Sequence, residues 1–127
     1  MSKFFVVLFM LFCHIVDDYC LQGILASMKQ REWWQEHAPQ SLYRYDYIMA
    51  LAMHSLSWSF MTLLPIAVVR GFDVGENFAL IFVVNAILHG VVDDLKANKK
   101  RINLIVDQLV HLLQIAVVSA LFIRGVI

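Results

Sequence analysis

Four stretches of about twenty mostly apolar residues occupy most of this 127-residue chain, and a bilayer core of about 30 Å needs roughly that length of helix to cross it. They run from about Phe4 to Ala26, Tyr47 to Val69, Asn77 to Leu95 and Leu104 to Ile123. Breakers and charges fall between them: Lys29 to Tyr45 with Pro39, then Arg70 to Glu76 with Gly71 and Gly75, then Lys96 to Arg101. With 61% hydrophobic against 16% charged residues, the chain is too apolar for an ordinary soluble domain. The expected fold is all-α, an integral membrane four-helix bundle in one domain over residues 1–127.

Basic and acidic residues cancel to a formal net charge of zero, so no basic field exists to hold nucleic acid by its phosphates. Cys13 and Cys20 lie seven residues apart, too far along a helix rising about 1.5 Å per residue to form a disulfide. Lys3 and the apolar run Phe4 to Phe12 resemble the start of a secretory signal, but no small-residue cleavage site follows, so the segment reads as a permanent helix. The first connection carries Trp33, Trp34, Tyr43 and Tyr45, aromatic residues suited to the headgroup level, and part of it fits a short interfacial helix.

With four spans, the first and third connections share one side. They carry Lys29, Arg31, Arg44, Lys96, Lys99, Lys100 and Arg101, against Lys3, Arg70 and Arg124 on the other. This asymmetry puts the basic connections in the cytoplasm and both termini outside it, as in a multi-pass protein of the bacterial inner membrane.

Ionisable residues inside the spans are the anomaly. His14, His54, His89 and His111 lie in apolar segments, with Asp17, Asp18, Asp93, Asp94 and Asp107. A central Asp costs about 2.5–3.5 kcal/mol to insert, so such residues are by default partnered and functional. His14 and Asp18 are four apart, as are His89 and Asp93, and Asp107 and His111 repeat the spacing in reverse order. Each pair shares a helix face one turn apart. Because the fourth span runs opposite to the first and third, the reversal places every Asp on the same, cytoplasmic side of its His. His54, near the start of the second span, falls at a matching depth. The expectation is four imidazoles beneath three carboxylates.

Inward-facing His and carboxylate ligands on four helices are how bundle cores bind metals. The predicted ligands are His14, Asp18, His54, His89, Asp93, Asp107 and His111. Nitrogen and oxygen donors without thiolate suit a divalent transition metal, zinc first, then iron or manganese. Seven donors exceed the needs of one tetrahedral ion, so either two ions bind or some Asp residues orient His ligands. Against this stands hydrogen-bonding glue between membrane helices, worth about 0.6 kcal/mol per contact. Glue explains His54 taken alone; it requires neither matched depth nor three spaced pairs. Asp17, three residues from His14, can substitute for Asp18, whereas Asp94 points off the His89 face and reads as a helix-end charge.

The same residues carry a resemblance spanning nearly the whole chain. His14-Ile15-Val16-Asp17-Asp18-Tyr19-Cys20-Leu21-Gln22, His54, His89-Gly90-Val91-Val92-Asp93-Asp94-Leu95-Lys96 and Asp107-Gln108-Leu109-Val110-His111 resemble a family of small integral membrane proteins of bacteria and phages, catalogued as a domain of unknown function. That family is similar to proteins labelled membrane-bound metal-dependent hydrolases. The resemblance implies a site of His14, Asp18, Gln22, His54, His89, Asp93, Lys96, Asp107, Gln108 and His111.

The leading expectation is therefore a metal-dependent hydrolase acting from the cytoplasmic leaflet on a lipid or a small, phosphate-bearing molecule. A bound ion would acidify its water and act as Lewis acid, with Asp18 as general base. Lys96, three residues beyond Asp93, would hold an anionic group, although it also opens a basic run that reads as a topology signal. No G-x-S-x-G motif supports covalent serine chemistry. The rivals are a divalent-cation or proton transporter or channel, which the apolar run beyond the His level weakens, and a holin-like phage membrane protein acting as a homo-oligomer.

Overall fold

The computed structural model describes all residues from Met1 to Ile127, and its regular structure is entirely helical. Helix α1 (Lys3–Val16) runs directly into a π-helical turn, Asp17–Leu21. Two short helices, α2 (Leu25–Met28) and α3 (Arg31–His37), and a 3₁₀ turn, Ser41–Tyr43, lead to three long helices: α4 (Asp46–Val69), α5 (Glu76–Ala97) and α6 (Leu104–Ile123). Four helical stretches are long and apolar enough to cross a membrane: Lys3–Leu21, Ser41–Val69, Glu76–Ala97 and Leu104–Ile123. Local signals start two of them, since Ser2 Oγ accepts the Phe5 N–H at 3.2 Å and Asn103 Oδ1 accepts the Val106 N–H at 3.0 Å.

The first helix is shorter than its apolar run. Expected to reach Ala26, it stops at Leu21, because Gly23 takes a left-handed φ of 48° and turns the chain across the bundle end.

The long helices pack in chain order around a square, α1 against α4, α4 against α5, α5 against α6, and α6 back against α1. They alternate in direction. At one end Lys3 Nζ donates to the Ile123 carbonyl and Arg70 to the Ile127 carbonyl. At the other, the connection after α1 meets the one after α5: the Arg31 N–H donates to Asn98 Oδ1, Asn98 to the Lys29 carbonyl, and Lys100 to Glu32.

The bundle is polar inside and apolar outside. Phe4, Phe60, Leu80 and Ile105 are exposed, whereas His89, Asp107 and His111 are fully buried. An apolar exterior of this extent suits a hydrocarbon environment. The interior divides across its length: towards the termini Val6, Met10, Leu63, Ile66, Val118 and Phe122 form an apolar core that includes only small polar side chains such as Thr62 and Ser119, and the His/Asp cluster lies between that core and the basic connections.

Candidate metal centre

Each long helix contributes one buried imidazole. His54 Nε2 and His89 Nε2 approach to 3.1 Å, and the His89 ring stacks on His111 with centroids 4.2 Å apart. The carboxylates stand on the side nearer the basic connections. His54 Nε2 lies 3.5 Å from Asp18 Oδ1 and 3.4 Å from Asp93 Oδ2, while His111 Nε2 lies 3.5 Å from Asp93 Oδ1 and 3.4 Å from Asp107 Oδ1.

Two groups of three have spacing suited to a metal ion, with ligand atoms within 4.8 Å of one another: Asp18, His54 and His89, and His89, Asp93 and His111. His89 belongs to both. Asp107 stands beside the second group, and its Oδ1 has no hydrogen-bond partner.

Neighbouring side chains fix two tautomers. The Trp58 indole N–H donates to His14 Nδ1 at 2.8 Å, so the His14 proton sits on Nε2, facing Gln108 Oε1 at 3.2 Å. Both His14 nitrogens are thereby engaged, and this imidazole borders the two groups without joining them. Gln114 donates its amide to Asn85, which turns Oε1 towards His111 Nδ1 at 3.0 Å and puts the proton there. The lone pair left on His111 Nε2 faces Asp93 and Asp107 with no hydrogen-bond partner. Three acceptors thus converge with no donor among them, an arrangement costly in a dry interior unless a proton or a cation lies between them.

Residues 6–126 match a family described as a protein of unknown function (DUF3307). The chain belongs to this family. No curated protein and no solved structure matches it.

Three residues of this DUF3307 chain are absent from the sequence-derived site: Lys29, Asp17 and Trp58. Lys29, read only as a topology charge, is buried and donates to Asp93 Oδ2 at 2.5 Å. With Lys96, which donates to Asp107 Oδ2 at 2.5 Å, it adds an ammonium level beyond the carboxylates. Asp93 and Asp107 each turn one oxygen towards His111 and the other towards a lysine.

Asp17, weighed as a substitute for Asp18, is fully buried alongside it. In the π turn, closed by the Gln22 N–H donating to the Asp17 carbonyl at 3.2 Å, consecutive residues are separated by a smaller angle than in an α-helix, and both acids face inward. Asp17 Oδ1 accepts from Ser57 Oγ at 2.6 Å, and Oδ2 lies 3.7 Å from His54 Nδ1. The doubled acid was the available signal.

Trp58 forms the floor of the cluster. Its indole stacks on His89 with centroids 4.2 Å apart and separates the polar half from the apolar core. Its spacing of four from His54 was the clue. Asp94 lies outside the cluster, accepting from Asn98 and pairing with Lys99 at 3.1 Å.

A cavity of about 490 Å³ leads to this centre from the basic end, with Asp18 and Asp93 at its inner wall and Lys29, Lys96 and Lys100 along its sides.

Proposed function

We propose that the chain is an integral membrane protein whose His/Asp cluster binds one or two divalent transition-metal ions, and that the centre hydrolyses an anionic substrate, lipid or small molecule, reaching it from the cytoplasmic face. The observation carrying this reading is the orphaned Nε2 of His111, turned onto Asp93 and Asp107 with its tautomer fixed by Gln114.

The fit is quantitative. Four tetrahedral donors about 2.0–2.1 Å from an ion stand roughly 3.3–3.4 Å apart. Donor separations of 3.1, 3.4, 3.5 and 3.8 Å among Asp18, His54, His89, Asp93 and His111 bracket that edge. Charge agrees: Asp17, Asp18, Asp93 and Asp107 face only two ammonium groups, and a divalent cation closes the difference. Nitrogen and oxygen donors with no thiolate among them favour zinc, then iron or manganese.

When bound, such an ion supplies Lewis acidity and an acidified water. The chain supplies the rest. Asp18, in the donor group that borders the cavity, is placed to take a proton as general base. Lys96 and Lys29 hold negative charge at the cavity wall. His14 and Gln108 position Asp18, because the Gln108 amide donates to Asp18 Oδ2 at 3.4 Å and to Asp107 Oδ2 at 3.0 Å.

A doubly protonated His111 would satisfy the same carboxylates, which makes a proton pathway the rival reading. The apolar core of Met10, Leu63, Ile66 and Phe122 opposes it: beyond the cluster the interior holds Thr62, Asn85, Gln114 and Ser119 but no buried ionisable group. The excess of Lys and Arg on the two connections supports a cytoplasmic position for that end, with both termini outside.

Element analysis of full-length protein purified without chelator tests the reading. About one to two equivalents of zinc, iron or manganese are expected, with release of a hydrolysis product from anionic substrates that ceases on metal removal. Protein that is metal-free and takes up none of these ions overturns it.

A further inference from the structure

The cavity has features that a metal centre alone does not require. Lys29 is 6% exposed and has three N–H donors, of which only one meets an acceptor, Asp93. Lys96 likewise has one acceptor, Asp107. For buried Lys29 unused donors carry a cost, whereas Lys96, its side chain 28% exposed, is half-buried; both line the cavity and present spare N–H groups to whatever fills it. Two ammonium groups beside one cavity match a phosphate.

The surroundings decide whether that phosphate is free in solution or attached to a lipid. The cavity walls come from the π-helical turn after α1, from α2 and the residues flanking it, from the end of α5 and from the start of α6; α4 contributes none. The α4 side is covered by α3, where Arg31 donates to the Tyr47 hydroxyl at 2.8 Å. On the side of α6 and the turn after α1 the cavity is lined by Tyr19 and Leu104, both exposed, with Ile15 exposed one turn before Tyr19. A pocket for a soluble anion needs no apolar sill on a helix face within the membrane span; a headgroup whose chains stay in the bilayer does.

We propose that the ligand of the centre is a lipid with an anionic phosphomonoester headgroup that reaches it sideways between α1 and α6, its phosphate held by Lys29 and Lys96 and its chains lying over Tyr19 and Leu104. The proposal rests on the metal-centre reading for its chemistry and on the cavity for its binding, and the two are measured separately.

Native mass spectrometry of the full chain in detergent, mixed with phosphatidic acid or phosphatidylcholine, measures the binding, with metal content read in the same spectra. Phosphatidic acid is retained at least about tenfold better than phosphatidylcholine, a difference of about 1.4 kcal/mol. Lys96→Gln removes the preference while the metal remains, and Lys96→Arg keeps it. Tyr19→Asp at the rim weakens lipid retention without touching the lysines, which guards against Lys96→Gln misfolding. Inorganic phosphate and glycerol phosphate at the same concentration fail to displace the lipid. Equal retention of the two lipids, a preference unchanged in both Lys96→Gln and Tyr19→Asp, or displacement by inorganic phosphate overturns the lipid assignment. A lysine-dependent preference in protein that binds no metal supports the lipid site and overturns the metal reading instead.

Discussion

His54 and His89 face each other across the α4–α5 seam with their Nε2 atoms 3.1 Å apart. Two imidazole nitrogens that close share a proton or a cation, since opposed lone pairs repel. His89 belongs to both groups of converging donors, His54 to one, and His14 to neither, both its nitrogens being engaged by Trp58 and Gln108. His89→Ala should therefore strip the metal most completely, with His54→Ala next, and His14→Ala should retain most of it. Element analysis at matched expression ranks the three. A metal-free His14→Ala beside a fully loaded His89→Ala would reverse the assignment.

Asp93 and Asp94 are adjacent in sequence and opposite in role. Asp93 is 1% exposed between His54, His111 and Lys29, while Asp94 meets Asn98 and Lys99 at the end of α5. Asp93→Asn should deplete the metal and Asp94→Asn should leave it in place. An opposite result would mean that the donors found here are not the ligands.

Asp17 is expected to act on the centre through His54. Its Oδ2 stands 3.7 Å from His54 Nδ1, on the side of the ring away from the converging donors, and neither atom has another hydrogen-bond partner; a carboxylate that closed this gap would orient the imidazole. Asp17→Ala should weaken metal binding by about 10–100-fold, the usual effect of losing such a partner. Ser57→Ala, which removes only the hydroxyl donating to Asp17 Oδ1, should cost less. Competition with a chelator of known affinity gives both values, and an affinity unchanged in Asp17→Ala would show that Asp17 does not orient His54.

The four membrane-length helices and the inward Asp/His faces were legible because each rests on a period along one helix. The spacing of His89 to Asp93 and of Asp107 to His111 carries directly into contacts of 3.8 and 3.4 Å. What was not legible depends on chain path rather than period. Lys29 reaches Asp93 only because Gly23 ends the first helix early and α2 folds back across the bundle end. Asp17 joins Asp18 inside only because the turn after Val16 is π rather than α, so an angle measured at a constant 100° per residue misplaces one of the two acids. The tautomer of His14 is set by Trp58 and Gln108 on other helices, where no local pattern couples them, whereas Gln114 lies three residues from His111 on the same face of α6.

Gly90 sets the distance between the helices that carry His54 and His89. A Cβ on Gly90 would lie 2.8 Å from Ser55 Oγ, which cannot swing aside without giving up its hydrogen bond to the Leu51 carbonyl at 2.7 Å. Ser55 and Gly90 directly follow the two facing histidines in sequence, so any widening here opens the imidazole pair. Small residues at such seams let membrane helices approach closely. Gly90→Ala should reduce metal retention modestly, and Gly90→Leu should abolish most of it and cost about 1–3 kcal/mol of stability, as overpacking a tight contact does. The double variant Gly90→Ala with Ser55→Ala tests the cause. With the hydroxyl gone, the nearest atom is Ser55 Cβ at 3.6 Å, an ordinary contact, and retention should return to near that of the unaltered chain. If Gly90→Leu binds metal normally, the seam is not what holds His54 and His89 together, and their approach must be fixed by the cluster itself.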